Sequence, residues 1–144
     1  MMDGHRRLCT FYVDRLFFGI NAEEVQEIIR QQEATPVPLA APAIRGLVNL
    51  RGNIVTAIDL RRRLGLPEGP CPAGQMSLVL RTDAGLVSVG VDRLGDVLTV
   101  HEADFERPPE AVCGSARGQI RGAYKLADRL VLALETKQLV QIEA

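Results

Sequence analysis

The chain has 144 residues but only two histidines, His5 and His101, and three cysteines, Cys9, Cys71 and Cys113, from which a reaction centre or metal site could be assembled. Acyl transfer needs a nucleophile, a base and an oxyanion donor, and no Gly-x-Ser-x-Gly elbow is present. His5 is expected in a frayed terminus. His101 stands beside Glu102 and Asp104 at a strand end, where it reads as a solvated loop residue rather than a base. Gly114, Gly118 and Gly122 have the wrong spacing for a phosphate cradle, and no Gly-Lys-Ser/Thr follows. The carboxylate pairs Asp92/Asp96 and Glu102/Asp104 have no histidine or cysteine company of metal-site spacing and read as solvated faces. The cysteines are far apart with no Cys-x-x-Cys, which argues against a zinc site or disulfide framework and suits a reducing cytosol. These features predict no enzyme, no cofactor and no small-molecule substrate.

Charge points the same way. The formal net charge is −1, so no overall field draws the chain to nucleic acid or an anionic membrane. Arg61-Arg62-Arg63 is the densest basic run, but aromatics are 4% of the chain and none lies near it, so it reads as the solvated face of a short helix. No stretch approaches the roughly 18 apolar residues of a membrane span, and the first residues have no signal-like apolar run, so the expectation is neither secretion nor membrane insertion. With 47% hydrophobic and 24% charged residues, the chain fits one folded domain whose partners are proteins.

The elements that would carry such contacts are mostly β. Leu8–Ile20 reads as a hairpin turning at Asp14-Arg15. Asn21 has the character of a cap, with Glu24 at capping-box spacing and Val25, Ile28 and Ile29 on one helical face, predicting a helix over Ala22–Arg30. Pro36, Pro38 and Pro42 keep the next segment extended. Ile44–Leu50 and Ile54–Leu60 form a second hairpin around Arg51-Gly52-Asn53, with glycine and asparagine supplying positive φ, and a helical turn over Leu60–Leu64 stops at Gly65. The proline- and glycine-rich segment 66–75 is a surface crossing. Beyond it come a hairpin over Met76–Thr82 and Leu86–Val91, an apolar continuation through Leu94, Val97, Leu98 and Val100, and a fourth hairpin after Pro108-Pro109 and a Gly-Ser loop.

The fourth hairpin repeats the second. Ile44–Leu66 aligns on Ile120–Ile142 without gaps, with six of 23 positions identical: Ile44/Ile120, Arg45/Arg121, Gly46/Gly122, Leu50/Leu126, Val55/Val131 and Ala57/Ala133. Arg61/Lys137 and Leu64/Val140 are conservative. Upstream, Asp14 aligns with Asp83, and Val25, Glu27, Ile28 and Ile29 align with Leu94, Asp96, Val97 and Leu98, at an offset of 69 rather than 76. A longer loop around Pro108–Gly118 accounts for the difference. Two similar β units, about 8–66 and 76–142, are therefore expected within one domain spanning 8–142, with strands open to exchange between them and a shared apolar interface, since units of about 60 residues are marginal alone.

The run Ile44-Arg45-Gly46-Leu47-Val48-Asn49-Leu50-Arg51-Gly52-Asn53-Ile54-Val55, continuing into Ile58-Asp59-Leu60-Arg61 and Leu64-Gly65-Leu66, resembles the signature of CheW-like chemotaxis coupling proteins. Val25-Gln26-Glu27-Ile28, Val91-Asp92 with Val97, Pro108-Pro109, Ile120-Arg121-Gly122 and Val131-Leu132-Ala133-Leu134 extend the likeness over about Thr10–Val140. The resemblance implies a mostly β fold of two five-stranded SH3-like barrels with short helices. It implies a stand-alone, non-catalytic adaptor, cytoplasmic and located at receptor arrays beneath the inner membrane. Its partners would be chemoreceptor cytoplasmic tips and the regulatory domain of a chemotaxis histidine kinase.

By the same resemblance Val25, Glu27, Ile28, Gly46, Asn49, Arg51, Val91, Asp92 and Val97 belong to the partner-binding surface. Plainer readings stand beside these: Val25 and Ile28 as the core face of a helix, Gly46 as a bulge or close backbone approach, Arg51 as a solvated hairpin tip. Thr56-Ala57 stands where the family usually has proline and a β-branched residue, which frees a donor and leaves the edge detail open. An adaptor of a paralogous pathway, such as twitching motility or another receptor-linked kinase system, is the alternative within the fold. A small-barrel nucleic-acid binder is the alternative outside it.

Overall fold

Several strands carry runs of three or four consecutive buried residues and only two alternate cleanly, and a computed structural model describing residues 4–67, 75–107 and 118–141 shows where each strand lies. In order they are β1 (His5–Val13), β2 (Leu16–Asn21), β3 (Val25–Arg30), β4 (Ile44–Leu50), β5 (Asn53–Ile58), β6 (Met76–Thr82), β7 (Gly85–Val91), β8 (Arg93–His101), β9 (Phe105–Glu106), β10 (Ile120–Lys125) and β11 (Leu130–Leu134). Short helical turns occupy Ala22–Glu24, Leu60–Leu64, Glu102–Asp104 and Thr136–Leu139. Segment 68–74, the 108–117 loop with Pro108-Pro109 and Gly114, and Cys71 and Cys113 lie outside the described residues.

The predicted helix over Ala22–Arg30 is instead one 3-10 turn followed by strand β3. Asn21 does cap, accepting from the Glu23 amide at 3.4 Å, but Glu24 does not reach back; its Oε1 accepts from the Thr136 hydroxyl at 2.9 Å. Val25, Ile28 and Ile29 are β-branched, and pairing with β6 overrides the helical spacing. A bulge between Val25 and Glu27 produces the apparent three-residue period. His5, expected in a frayed end, is the first residue of β1 and pairs with His101, their rings edge to face at 4.2 Å.

One sheet runs β8-β1-β2-β11-β10-β9 and the other β3-β6-β7-β5-β4. The two orders are equivalent: a hairpin (β1-β2 or β6-β7), an outer strand donated by the other half of the chain (β8 or β3), and a second hairpin joined in parallel (β11 on β2, β5 on β7). The sheets thus cut across the sequence halves 8–66 and 76–142. The first sheet has six strands rather than five because the two-residue β9 pairs with β10, which the sequence did not signal. Strand β5, with Thr56, lies between β7 and β4, so the departure at Thr56-Ala57 falls on an interior strand.

Both sheets close into barrels by the same device. After β3 the chain crosses over and Thr35 bridges Leu47 of β4 with two backbone bonds of 2.8 and 2.9 Å. After β8 it crosses over and Glu106 pairs with Ala123 of β10. Gly46 and Gly122 sit under these crossings. Gly46 has φ +147°, and a Cβ there would overlap the Thr35 carbonyl; at Gly122 it would overlap the Phe105 ring. The residue before each glycine, Arg45 or Arg121, falls at a register shift in its hairpin.

Packing follows this plan. Leu8, Phe17, Val100, Tyr124, Val131 and Ala133 fill one barrel. Val48, Leu50, Val55, Ala57 and Val79 fill the other. A larger cluster takes Phe11, Phe18, Ile20, Leu132 and Leu134 from the first sheet and Ile58, Leu78, Leu80, Val87 and Val89 from the second, forming the core between the barrels. Burying side chains of this size stabilises by about 1.5–3 kcal/mol each, so the shared core locks two units that would be marginal separately.

Candidate functional site

The β4-β5 hairpin turns through two residues, since Leu50 pairs with Asn53. Arg51 and Gly52 carry φ of +51° and +89°, the type I′ geometry that matches strand twist. Positive φ therefore falls on Arg51 and Gly52; Asn53 already belongs to β5. The Asn49 carboxamide accepts from the Gly52 amide at 2.9 Å, which holds the turn while Arg51 stays left-handed. From there the Arg51 guanidinium reaches the Glu27 carboxylate on β3. The pair joins the two outer strands of one barrel across its mouth. Arg51 keeps 66% of its side chain in solvent and Glu27 26%, so the pair adds little stability and chiefly orients Arg51.

The structure brings Glu27, Asn49 and Arg51 together beside Ile28, and places Val97 on the other sheet. Ile28, 44% exposed, lies on β3. Val97, 50% exposed, occupies the equivalent place on β8, where a register shift mirrors the bulge of β3. Val25 is half-buried against the shared core. Gly46 is buried beneath Thr35, where it serves barrel closure. Val91 is 0% exposed in the shared core.

Asp92, read from sequence as solvated, is a hub. Its carboxylate accepts from Arg61 at 2.6 Å, from the Asp14 amide at 2.7 Å and from Gln75 at 3.4 Å, while its own amide donates to the Tyr12 carbonyl at 2.9 Å. Of the expected solvated face of Arg61-Arg62-Arg63, Arg62 is exposed, but Arg61 and Arg63 are engaged by the fold. Arg61 is bonded to Asp92 and the Pro67 carbonyl, and Arg63 donates to the carbonyls of Leu139, Gln138 and Gln141. Arg93 and Arg129 lie over the Tyr12 ring, and Arg129 also covers Phe17 at 4.1 Å. Arg61 and Arg63 are half-buried, while Arg93 and Arg129 cover the aromatic rings from the exposed side.

His101 and Glu102 form no catalytic pair. Glu102 accepts instead from Tyr124 at 3.0 Å and Arg6 at 3.2 Å. Desolvation raises its pKa, but these bonds and the Arg6 and Arg121 charges outweigh it and hold the carboxyl below the usual range. Burial first, then the bond to Glu102, push the Tyr124 phenol above its usual value against the Arg121 charge. Among the described residues no group of three His, Cys, Asp or Glu is arranged to hold a metal, and no helix is long and apolar enough to cross a membrane.

A cleft of about 410 Å³ opens between the barrels, lined by Glu24, the β6-β7 tip (Arg81, Thr82, Asp83, Ala84) and, after β11, Thr136, Lys137, Val140 and Gln141. The sequence predicts a shared interface between the units but assigns none of these residues to it. The repeat register aligns the β6-β7 tip and 136–141 with Tyr12–Arg15 and Leu60–Gly65, the surroundings of the Asp92 hub, but nothing in the sequence marked that hub.

Comparison with known proteins agrees with this architecture. The CheW-like domain family model matches residues 7–144. Chemotaxis protein CheW of Bacillus subtilis (strain 168) is 31% identical over 138 residues, covering 96% of this chain and 88% of the relative. Chemotaxis protein CheW of Treponema pallidum (strain Nichols) is 27% identical over 141 residues, covering 95% and 83%. The crystal structure of scaffolding protein TtCheW from Thermoanaerobacter tengcongensis superposes with a TM-score of 0.86 at 22% identity, covering 96% of this chain and 94% of that one, and shows the same fold of paired SH3-like β units. The chain belongs to the CheW-like family of chemotaxis proteins.

Proposed function

We propose that this protein is a non-enzymatic adaptor that couples the cytoplasmic tips of chemoreceptors to the regulatory domain of a chemotaxis histidine kinase, working in the cytoplasm at receptor arrays. The observation that carries this reading is the arrangement of adhesive features on a doubled barrel: an open cleft between the barrels and, on one barrel's rim, the Glu27–Arg51 pair near exposed Ile28 and Ile54. A helix can lay an apolar stripe in the cleft against Val140 and Ala84, with the charges of Glu24 and Lys137 setting its register. The rim presents a fixed guanidinium beside apolar side chains, a composition typical of interface anchors. Weak pairwise contacts suffice, since an array multiplies them.

Arg51, Ile28 and Val97 are assigned here as contact residues. Glu27 orients Arg51, Asn49 shapes its turn, and Gly46, Val91 and Asp92 support the surface from within. The test is recovery of partners from a chemotactic cell extract on immobilised wild-type and Arg51→Ala protein. The wild type retains both a receptor and a histidine kinase, and the variant loses at least one. Recovery of neither by the wild type removes the proposal; equal recovery by both removes only the role of Arg51.

A further inference from the structure

The chain passes between the barrels twice, from β2 to β3 through 21–24 and from β7 to β8 at Asp92. The internal repeat relates these two crossings. Asp92 corresponds to Glu23, Arg61 to Lys137 and Asp14 to Asp83. At the β7-β8 crossing these groups are locked together. Asp92 accepts from Arg61 and from the Asp14 amide, and Arg61 lies 3.9 Å from the Asp14 carboxylate. Arg61 and Asp92 each expose only 19% of their side chains, so their attraction is screened far less than that of a surface pair. At the β2-β3 crossing the counterparts are apart. Lys137, Asp83 and Glu23 are exposed, Lys137 is ion-paired with none of the described carboxylates, and the open cleft lies where the equivalent lock would be.

We infer that the Asp92–Arg61–Asp14 cluster is a positioning lock that fixes the angle between the barrels and thereby sets the width of the cleft at the opposite, pseudo-equivalent crossing. Asp92 is well placed for this, because Val91 ends a strand of one barrel and Arg93 begins a strand of the other. Its carboxylate grips the β1-β2 tip of one barrel and the helix after β5 of the other. One crossing acts as the fulcrum and the other as the jaw. The inference deepens the adaptor reading and rests on it for the identity of the helix that enters the cleft, but the lock itself does not depend on that identity.

The experiment has two arms. Spin labels are placed by Ile54→Cys on one barrel and Asp128→Cys on the other, in protein carrying Cys9→Ala, Cys71→Ser and Cys113→Ser, and their separation is measured. A single narrow distance distribution is expected with the lock intact, and a broadened or displaced one with Asp92→Asn or Arg61→Gln. In the second arm, a helical receptor-tip fragment binds Asp92→Asn on the order of tenfold more weakly, the scale of a typical coupling between sites. Val55→Ala, a cavity inside one barrel, serves as the stability control: it lowers Tm while keeping the narrow distribution and the affinity. An unmoved, narrow distribution in both lock variants overturns the inference, as does Val55→Ala reproducing their behaviour at an equal fall in Tm. If the distances respond but the fragment fails to bind wild type, the receptor reading falls and the lock stands.

Discussion

The Arg63 guanidinium donates from Nε to the Leu139 carbonyl at 2.8 Å, so a residue following one hairpin of the repeat caps the helical turn that follows the other. Further bonds to Gln138 and Gln141 at 2.6 and 3.0 Å complete a three-carbonyl clamp. The free carbonyls at a helix end are a natural site for a cation, and the planar fork of arginine serves several at once.

Arg63→Ala is therefore expected to cost about 2 kcal/mol, within the range for charged hydrogen bonds, and to lower Tm by roughly 5 °C. Arg63→Lys recovers less than half of that, because a single ammonium cannot span the three carbonyls. Thermal melts of both variants check the ranking.

Gly46→Ala and Gly122→Ala occupy equivalent positions but meet different obstacles. A Cβ at Gly46 collides with the Thr35 backbone in a doubly bonded bridge and also meets positive φ, whereas at Gly122 it collides chiefly with the tip of the half-buried Phe105 ring. Gly46→Ala is expected to destabilise by roughly 2 kcal/mol or more and the Gly122 variant by less, read from urea midpoints.

Tyr124 predicts an alkaline effect. Its folded pKa is raised, chiefly by burial, so the stability it contributes is present below the roughly 10 of an unfolded tyrosine and is lost as pH rises through the folded value. Tyrosinate absorbance should show a late-titrating phenol that vanishes in Tyr124→Phe, and the variant's stability should fall less between pH 9 and 11.

Arg51→Ala should leave stability within about 1 kcal/mol of wild type, since the ion pair to Glu27 is largely exposed, while partner binding weakens by tenfold or more. A melt beside a binding isotherm separates the two effects.

The hairpins, their turns at Asp14 and Gly52 and the helix stop at Gly65 were legible because each rests on local chemistry: alternation, positive φ or a cap. The repeat register was legible too, and its weaker upstream half proves to mark the equivalent strands β3 and β8. What misled was tertiary. Val25–Arg30 has helical spacing, but its fate was set by a partner strand some 50 residues later. Asp92 and the arginine triplet carry charges that sequence assigns to solvent by default; only the fold brings Asp14, Arg61 and Asp92 to one point. The cleft could be anticipated as a seam but not placed, because its lining comes from three distant segments.

The most direct measurement reconstitutes membranes carrying chemoreceptors with the histidine kinase and follows kinase autophosphorylation with and without this protein. Adaptor function predicts that stimulus-dependent control of the kinase arises only when the wild-type chain is added and is lost with Arg51→Ala. Control that is equally strong without the chain, or no control with it despite active receptor and kinase, would contradict the account.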